Sequence, residues 1–270
     1  EQVFGALDVK RLQEVVDALI VRHEVLRTSF HLIDEEPVQR IHSPEDVKLD
    51  IEIIDSRDIV PGGELSREAA DNLVKDFIRP FNLSKAPLLR VRLVQWDEEK
   101  YILMYDMHHI IRDGTSSAIF MQEFVDLYLN LPMPKPKLQY RDFTIWQQDL
   151  LRDGTMEKQE EFWLDVFSRP LSLTQLPTDF PRPPVMQFGG DVYSYSFDTD
   201  LKEQIDALTR HTGATFYMII LAVYNILLSK YGAGEDIVVG TPAAGRPHED
   251  LQNIIGMFVN TLALRSYPRD

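Results

Sequence analysis

The stretch 101–131, YILMYDMHHIIRDGTSSAIFMQEFVDLYLNL, constrains the fold of this chain more than any other. Residues 101–107 read as a strand and 108–114 as a compact polar turn. Phe120, Phe124, Leu127, Tyr128 and Leu131 then recur at helical spacing. Thr115 or Ser116 is placed to cap that helix. Two adjacent histidines, His108 and His109, therefore leave the end of a strand, where successive side chains point opposite ways. One imidazole can face a cleft while the other packs into the fold. Asp113 and Gly114 turn the chain into the helix, and Gly114 offers a backbone angle denied to other residues.

The flanking sequence supplies layers for this unit to pack against. Leu12, Val15, Val16, Leu19 and Ile20 form an apolar helical stripe that ends near His23, with Asp8 as its cap. Arg22 and Arg27 flank that end, where positive charge suits a helix C-terminus. Residues 31–60 read as irregular apart from a strand at 47–54, and 66–77 reads as a helix. From Leu89 the residues alternate as a strand, and 97–100 turns it back as a hairpin onto 101–107. After the central helix come a proline-rich connector at 131–138 and two helical pieces broken near Asp153 and Gly154. A second proline-rich stretch, 176–184, is the best boundary between lobes, dividing the chain into 1–175 and 176–270. Beyond it the pattern predicts a strand at 191–197, a polar helix at 201–210 and a strongly apolar helix at 216–231 stopped by Gly232. Short strands follow at 236–241 and 258–265. Hairpins, long connections and flanking helices together predict an α+β fold.

Charge and composition remove several functional classes. A net charge of −15 leaves no basic stripe for nucleic acid. No apolar run is long enough to span a bilayer, and no secretory leader opens the chain, so neither a membrane partner nor export is expected. The absence of cysteine excludes a thiol nucleophile, a disulfide framework and a thiolate metal site, and is compatible with a cytoplasmic location.

An imidazole titrates near neutrality, so His109 could accept a proton from an amine or hydroxyl as it attacks a carbonyl. The plain alternative is a histidine satisfied within the core or simply exposed. No G-x-S-x-G elbow supports a covalent serine route. His108, His109 and Asp113 are ligand types, but adjacent strand-end histidines diverge and no HExxH helix completes a set, so no metal site is expected. Asp113 could orient the histidine, as in a triad, or point inward and pair with an arginine to fix the turn.

The run MHHIIRDGTS resembles the HHxxxDG signature of condensation domains in nonribosomal peptide synthetases. RHEVLRTSF at 22–30 resembles that family's RHExLRTxF element, YRDFTIWQ at 140–147 its YxDFxxW element, and IIGMFVNTLALR at 254–265 its (I/V)GxFVNT element. GTPAAGRPHEDL lies upstream of the last of these. The family's order is kept over essentially all the residues. The resemblance implies a chloramphenicol-acetyltransferase-like lobe and the first part of a second, with a tunnel between them. It also implies amide formation between donor and acceptor thioesters carried on the 4′-phosphopantetheine arms of peptidyl carrier domains, beside an adenylation domain, in antibiotic biosynthesis. No cofactor of the domain's own is implied.

Residue by residue, the resemblance makes His109 the catalytic histidine, as base or as positioning group, and His108 structural. Asp113 becomes a structural aspartate with Arg22 as its expected salt-bridge partner, and Gly114 keeps the tunnel open. Arg27 and Trp146 match tunnel-lining elements, Trp146 being equally readable as core packing. Arg246 and Asn260 are expected near the lobe interface. The family's first strand and first motif, and the elements after FVNT, are not found. The resemblance thus implies a fragment with little independent activity and an uncovered apolar face on the 216–231 helix. Two rival readings share the fold: an epimerisation domain, and a non-catalytic docking platform.

Overall fold

The computed structural model describes residues 1–57, 65–171, 176–187 and 189–268. Its contacts divide the chain into two units, Glu1–Gly154 with Ala244–Asn260, and Thr155–Ala243 with Thr261–Asp270. This differs from the division at residue 175, a position that lies outside the described residues. Segment 244–260 returns to the first unit because Arg246 and the Phe258 backbone bind Asp113.

In the first unit, helix α1 (Val9–Arg22) begins where the Arg11 N–H donates to the Asp8 carboxylate at 3.0 Å, and it buries the predicted apolar stripe. A sheet runs in the order β1 (Gln2–Phe4), β6 (Lys100–Met107), β5 (Leu89–Asp97), β4 (Glu52–Asp55). Strands β5 and β6 form the expected hairpin, and β4 lies parallel to β5. The strand at the N-terminus was not anticipated. It is only three residues long and is held by pairing to the free edge of β6 rather than by an alternating pattern. Arg92, Val94 and Trp96 are buried as well as Leu89, Val91 and Leu93. Helix α2 (Arg67–Phe77) covers the second face, with Phe77 against Val94 and Met104. Arg92 is paired there with Glu52 and Asp76.

The region read as irregular contains a second hairpin, β2 (Thr28–Ile33) and β3 (Glu36–Ile41). Its turn residues Asp34 and Glu35 both have positive φ, 50° and 67°, without the glycine that usually marks such a turn. Helix α3 (Gly114–Tyr128) follows β6 and packs Phe120 and Phe124 into one core with α1 and the sheet. Helices α4 (Tyr140–Arg152) and α5 (Glu157–Val166) are broken where the sequence predicts.

The second unit holds α5, α6 (Thr199–Thr212), α7 (Phe216–Leu228) and a two-stranded sheet of β7 (Ile237–Ala243) and β8 (Asn260–Ser266). Residues 191–197 alternate yet form no strand, and they stay exposed because no described neighbour hydrogen-bonds to them as a ladder. Among the described residues no single helix is long and apolar enough to cross a membrane.

Candidate active site

The histidine pair sits where β6 ends. The His108 N–H donates to the Leu88 carbonyl at 3.0 Å, the last link to β5. The chain then enters a one-turn 3-10 helix, His109–Ile111, whose first free amide is taken up by His108 itself: Ile110 N–H donates to His108 Nδ1 at 3.1 Å. The His108 ring meets Phe81 edge to face with centroids 5.9 Å apart. Ile111 is fully buried in the main core and anchors the turn, whereas His109 is exposed. His109 is the more exposed of the two, and His108 is half-buried.

Arg112 brackets the same turn. Its Nε donates to the Met107 carbonyl at 3.3 Å and its Nη1 to Ser117 Oγ at 2.7 Å, joining the strand end to the first helical turn. Asp113, rather than Thr115 or Ser116, caps α3, accepting from the Ser116 N–H at 2.7 Å. Its extended backbone makes the reversal, so Gly114 is an ordinary first helical residue without positive φ. A Cβ built on Gly114 meets nothing within 4 Å, so the glycine leaves open space at the helix start instead of serving as a hinge.

Asp113 is 3% exposed and points inward. Its carboxylate also accepts from the Phe258 N–H at 3.1 Å and from Arg246 Nη2 at 3.3 Å. Burial alone would raise this carboxyl. Donation by Ser116 and Phe258 and the charge of Arg246 outweigh it and hold the group below its ordinary value. Arg246 reaches the Leu251 and Ile254 carbonyls at 2.5 and 2.7 Å, Ser116 Oγ at 2.9 Å, and lies 3.9 Å over the Phe258 ring.

The expected partner of Asp113 is therefore wrong. Arg22 forms a two-point pair with Glu123 at 2.9 and 3.0 Å, and His23 Nε2 joins the same carboxylate at 2.5 Å. The end of α1 lies beside the middle of α3, out of reach of its capped first turn, and Glu123 is the carboxylate found there. Burial pushes Glu123 up, but His23 and Arg22 together hold it below the ordinary range.

The other candidates are dispersed. Arg27 bonds the His42 carbonyl at 2.5 Å and faces Glu24 at 3.7 Å, fixing the chain between α1 and β3. Trp146 is 41% exposed, packs on Phe143 with centroids 6.0 Å apart, and lines a cavity of about 300 Å³ with Leu138 and His248. Asn260 is exposed at the start of β8. Only Arg246, of the residues expected near a lobe interface, joins the histidine turn. Sequence reasoning missed Tyr140 as a site-supporting group. Its hydroxyl donates to the Met257 carbonyl at 2.7 Å, and burial with the Asp113 charge nearby raises its phenol above the ordinary value.

The turn thus sets an exposed strand-end histidine beside an inward, arginine-locked aspartate. The condensation-domain family model matches residues 2–270, and the chain belongs to that family. Tyrocidine synthase 3 of Brevibacillus parabrevis is 45% identical over 264 residues, covering 98% of this chain but 4% of that protein. The X-domain from teicoplanin biosynthesis superposes with a TM-score of 0.84 at 25% identity, over 98% of this chain and 59% of that one. A four-domain nonribosomal peptide synthetase bound to AMP and glycine gives 0.84 at 24% identity, over 99% and 20%. The α+β, chloramphenicol-acetyltransferase-like class read from the sequence is the fold of the chain.

Proposed function

We propose that this chain forms the histidine-bearing part of a peptide-bond-forming condensation domain in a nonribosomal peptide synthetase. The donor is an acyl or peptidyl thioester and the acceptor an aminoacyl thioester, each on the phosphopantetheine arm of a carrier domain, with an adenylation domain loading the acceptor. The acceptor amine attacks the donor thioester carbonyl, a C–N bond forms, the C–S bond breaks, and the leaving thiolate receives the proton that the amine gives up. The observation that carries this reading is the division of labour inside one motif: Asp113 is tied inward, His108 is half-buried with its Nδ1 taken up by the turn, and His109 is exposed.

His109 accepts that proton or orients the amine. Because an α-amine titrates at about 7.7–8.0, orientation alone is a substantial contribution. The test is a single-turnover condensation assay with both carriers loaded, in the complete synthetase. His109→Ala is expected to slow product formation by about 10²–10⁴-fold, and an unchanged rate would end the proposal. Racemisation of a loaded acceptor with no donor present would instead assign an epimerisation domain. Carrier binding without any turnover in the wild type would assign a docking platform.

A further inference from the structure

We propose that Ser116 is a positioning residue that sets the aim of His109 by latching the 254–258 backbone onto the first turn of α3; the inference rests on the amide-forming reading of His109. Ser116, Phe120 and Phe124 are the buried residues of α3, so this hydroxyl occupies the apolar stripe of the helix. It is completely inaccessible to solvent. A hydroxyl there must find its partners inside the protein.

It finds all that it can use. A serine hydroxyl has one proton to donate and two lone pairs to accept with. Ser116 Oγ donates to the Gly256 carbonyl at 2.7 Å and accepts from the Gly256 N–H at 3.0 Å and from Arg246 Nη2 at 2.9 Å. Its own N–H goes to Asp113. Ser117, one residue later, acts only within the turn, through Arg112 and the Asp113 carbonyl. Neighbouring serines thus divide two tasks. Ser117 closes the histidine turn on itself, and Ser116 fixes where that closed turn sits.

The Gly256 backbone cannot drift to compensate. A Cβ at Gly256 would lie 2.1 Å from the Tyr140 ring, so this backbone is confined between that ring and Ser116. Without Ser116, Asp113 would still hold α3 to the segment, through Arg246 at 3.3 and 3.5 Å and the Phe258 N–H at 3.1 Å. The shorter bonds of Ser116 fix register and direction. His109 opens the turn that ends at Asp113, so tilt in the first turn of α3 is passed to the imidazole. Misplacement by about 1 Å costs a reacting group on the order of a hundredfold in rate.

The test is a double-mutant cycle in the complete synthetase, read as single-turnover condensation with both carriers loaded. Ser116→Ala is expected to lower the rate by about 10–100-fold with the loading of both carriers unchanged. In the His109→Ala background, Ser116→Ala should slow the reaction further by no more than about twofold, since nothing is left to aim. Independent, multiplicative losses would overturn the inference while leaving His109 in its role. A wild-type rate for Ser116→Ala would overturn it too. If His109→Ala alone changes nothing, it is the reading of the site that fails. Should Ser116→Ala not fold, Ser116→Cys, close in size and a poor hydrogen-bonding group, takes its place in the same cycle with the same outcomes.

Discussion

Helices α3 and α7 are similar in length, 15 and 13 residues, and α7 (FYMIILAVYNILL) is much the more apolar. Their burial runs the other way. Phe120 and Phe124 of α3 are 1% and 6% exposed, whereas Phe216, Tyr224 and Leu227 of α7 are 51%, 45% and 50% exposed. Helix α3 lies in a core shared with α1 and the four-stranded sheet. Among the described residues α7 has α6 beside it, and Leu228 at its end joins Ile237 and Val239 in a small cluster. Hydropathy supplies the tendency to be buried, and the presence of a covering layer decides whether burial occurs. The histidine turn adjoins the covered helix, where a side chain can be held in one direction.

The contrast can be broken most severely at the node under α3. Arg246→Ala leaves the Asp113 carboxylate buried without its cation and is expected to cost about 3–5 kcal/mol in urea denaturation. Replacing both members, Asp113→Asn with Arg246→Met, should cost clearly less than Arg246→Ala alone. A similar loss is expected within the core. Phe120→Ala should destabilise by about 3–5 kcal/mol, while Tyr224→Ala on α7 should stay within about 0.5 kcal/mol. A large loss from Tyr224→Ala, measured the same way, would show that the α7 face is covered in solution.

Acid separates the two regions more gently. Asp113 and Glu123 are both held below their ordinary values of 3.8 and 4.5. Each therefore stabilises the fold fully above its ordinary value, and the contribution is lost as pH falls through the lower folded value. Stability measured between pH 6 and pH 2 should decline on the acid side of about pH 4. Asp113→Asn should flatten that decline, and substitutions on α7 should leave its shape unchanged.

Much of the first unit was legible because its signals are local. The stripe from Leu12 to Ile20, the Asp8 cap, the β5–β6 hairpin and the break at Asp153 each depend on residues a few positions apart. The β2–β3 turn was hidden because Asp34 and Glu35 adopt positive φ without glycine. The ion-pair partner of Asp113 was hidden for a different reason. Arg22 and Arg246 are chemically identical, and nothing in their spacing says which folds back onto α3; the answer depends on a contact across 133 residues. Ser116 could have been found. A lone hydroxyl four residues before Phe120, on the buried stripe, announces a buried partner, but its position also fitted a helix cap and was read as one.

The lock on the histidine turn has a consequence for the order in which the chain is made. Strand β6 and α3 leave the ribosome as neighbours, but the backbone amide that completes the Asp113 shell belongs to Phe258, 145 residues later. Closing so wide a loop is slow relative to folding a hairpin or a helix. A nascent chain can thus assemble its sheet and helices early and still carry a loosely held histidine turn. The turn is finished only when translation has passed the segment that clamps it.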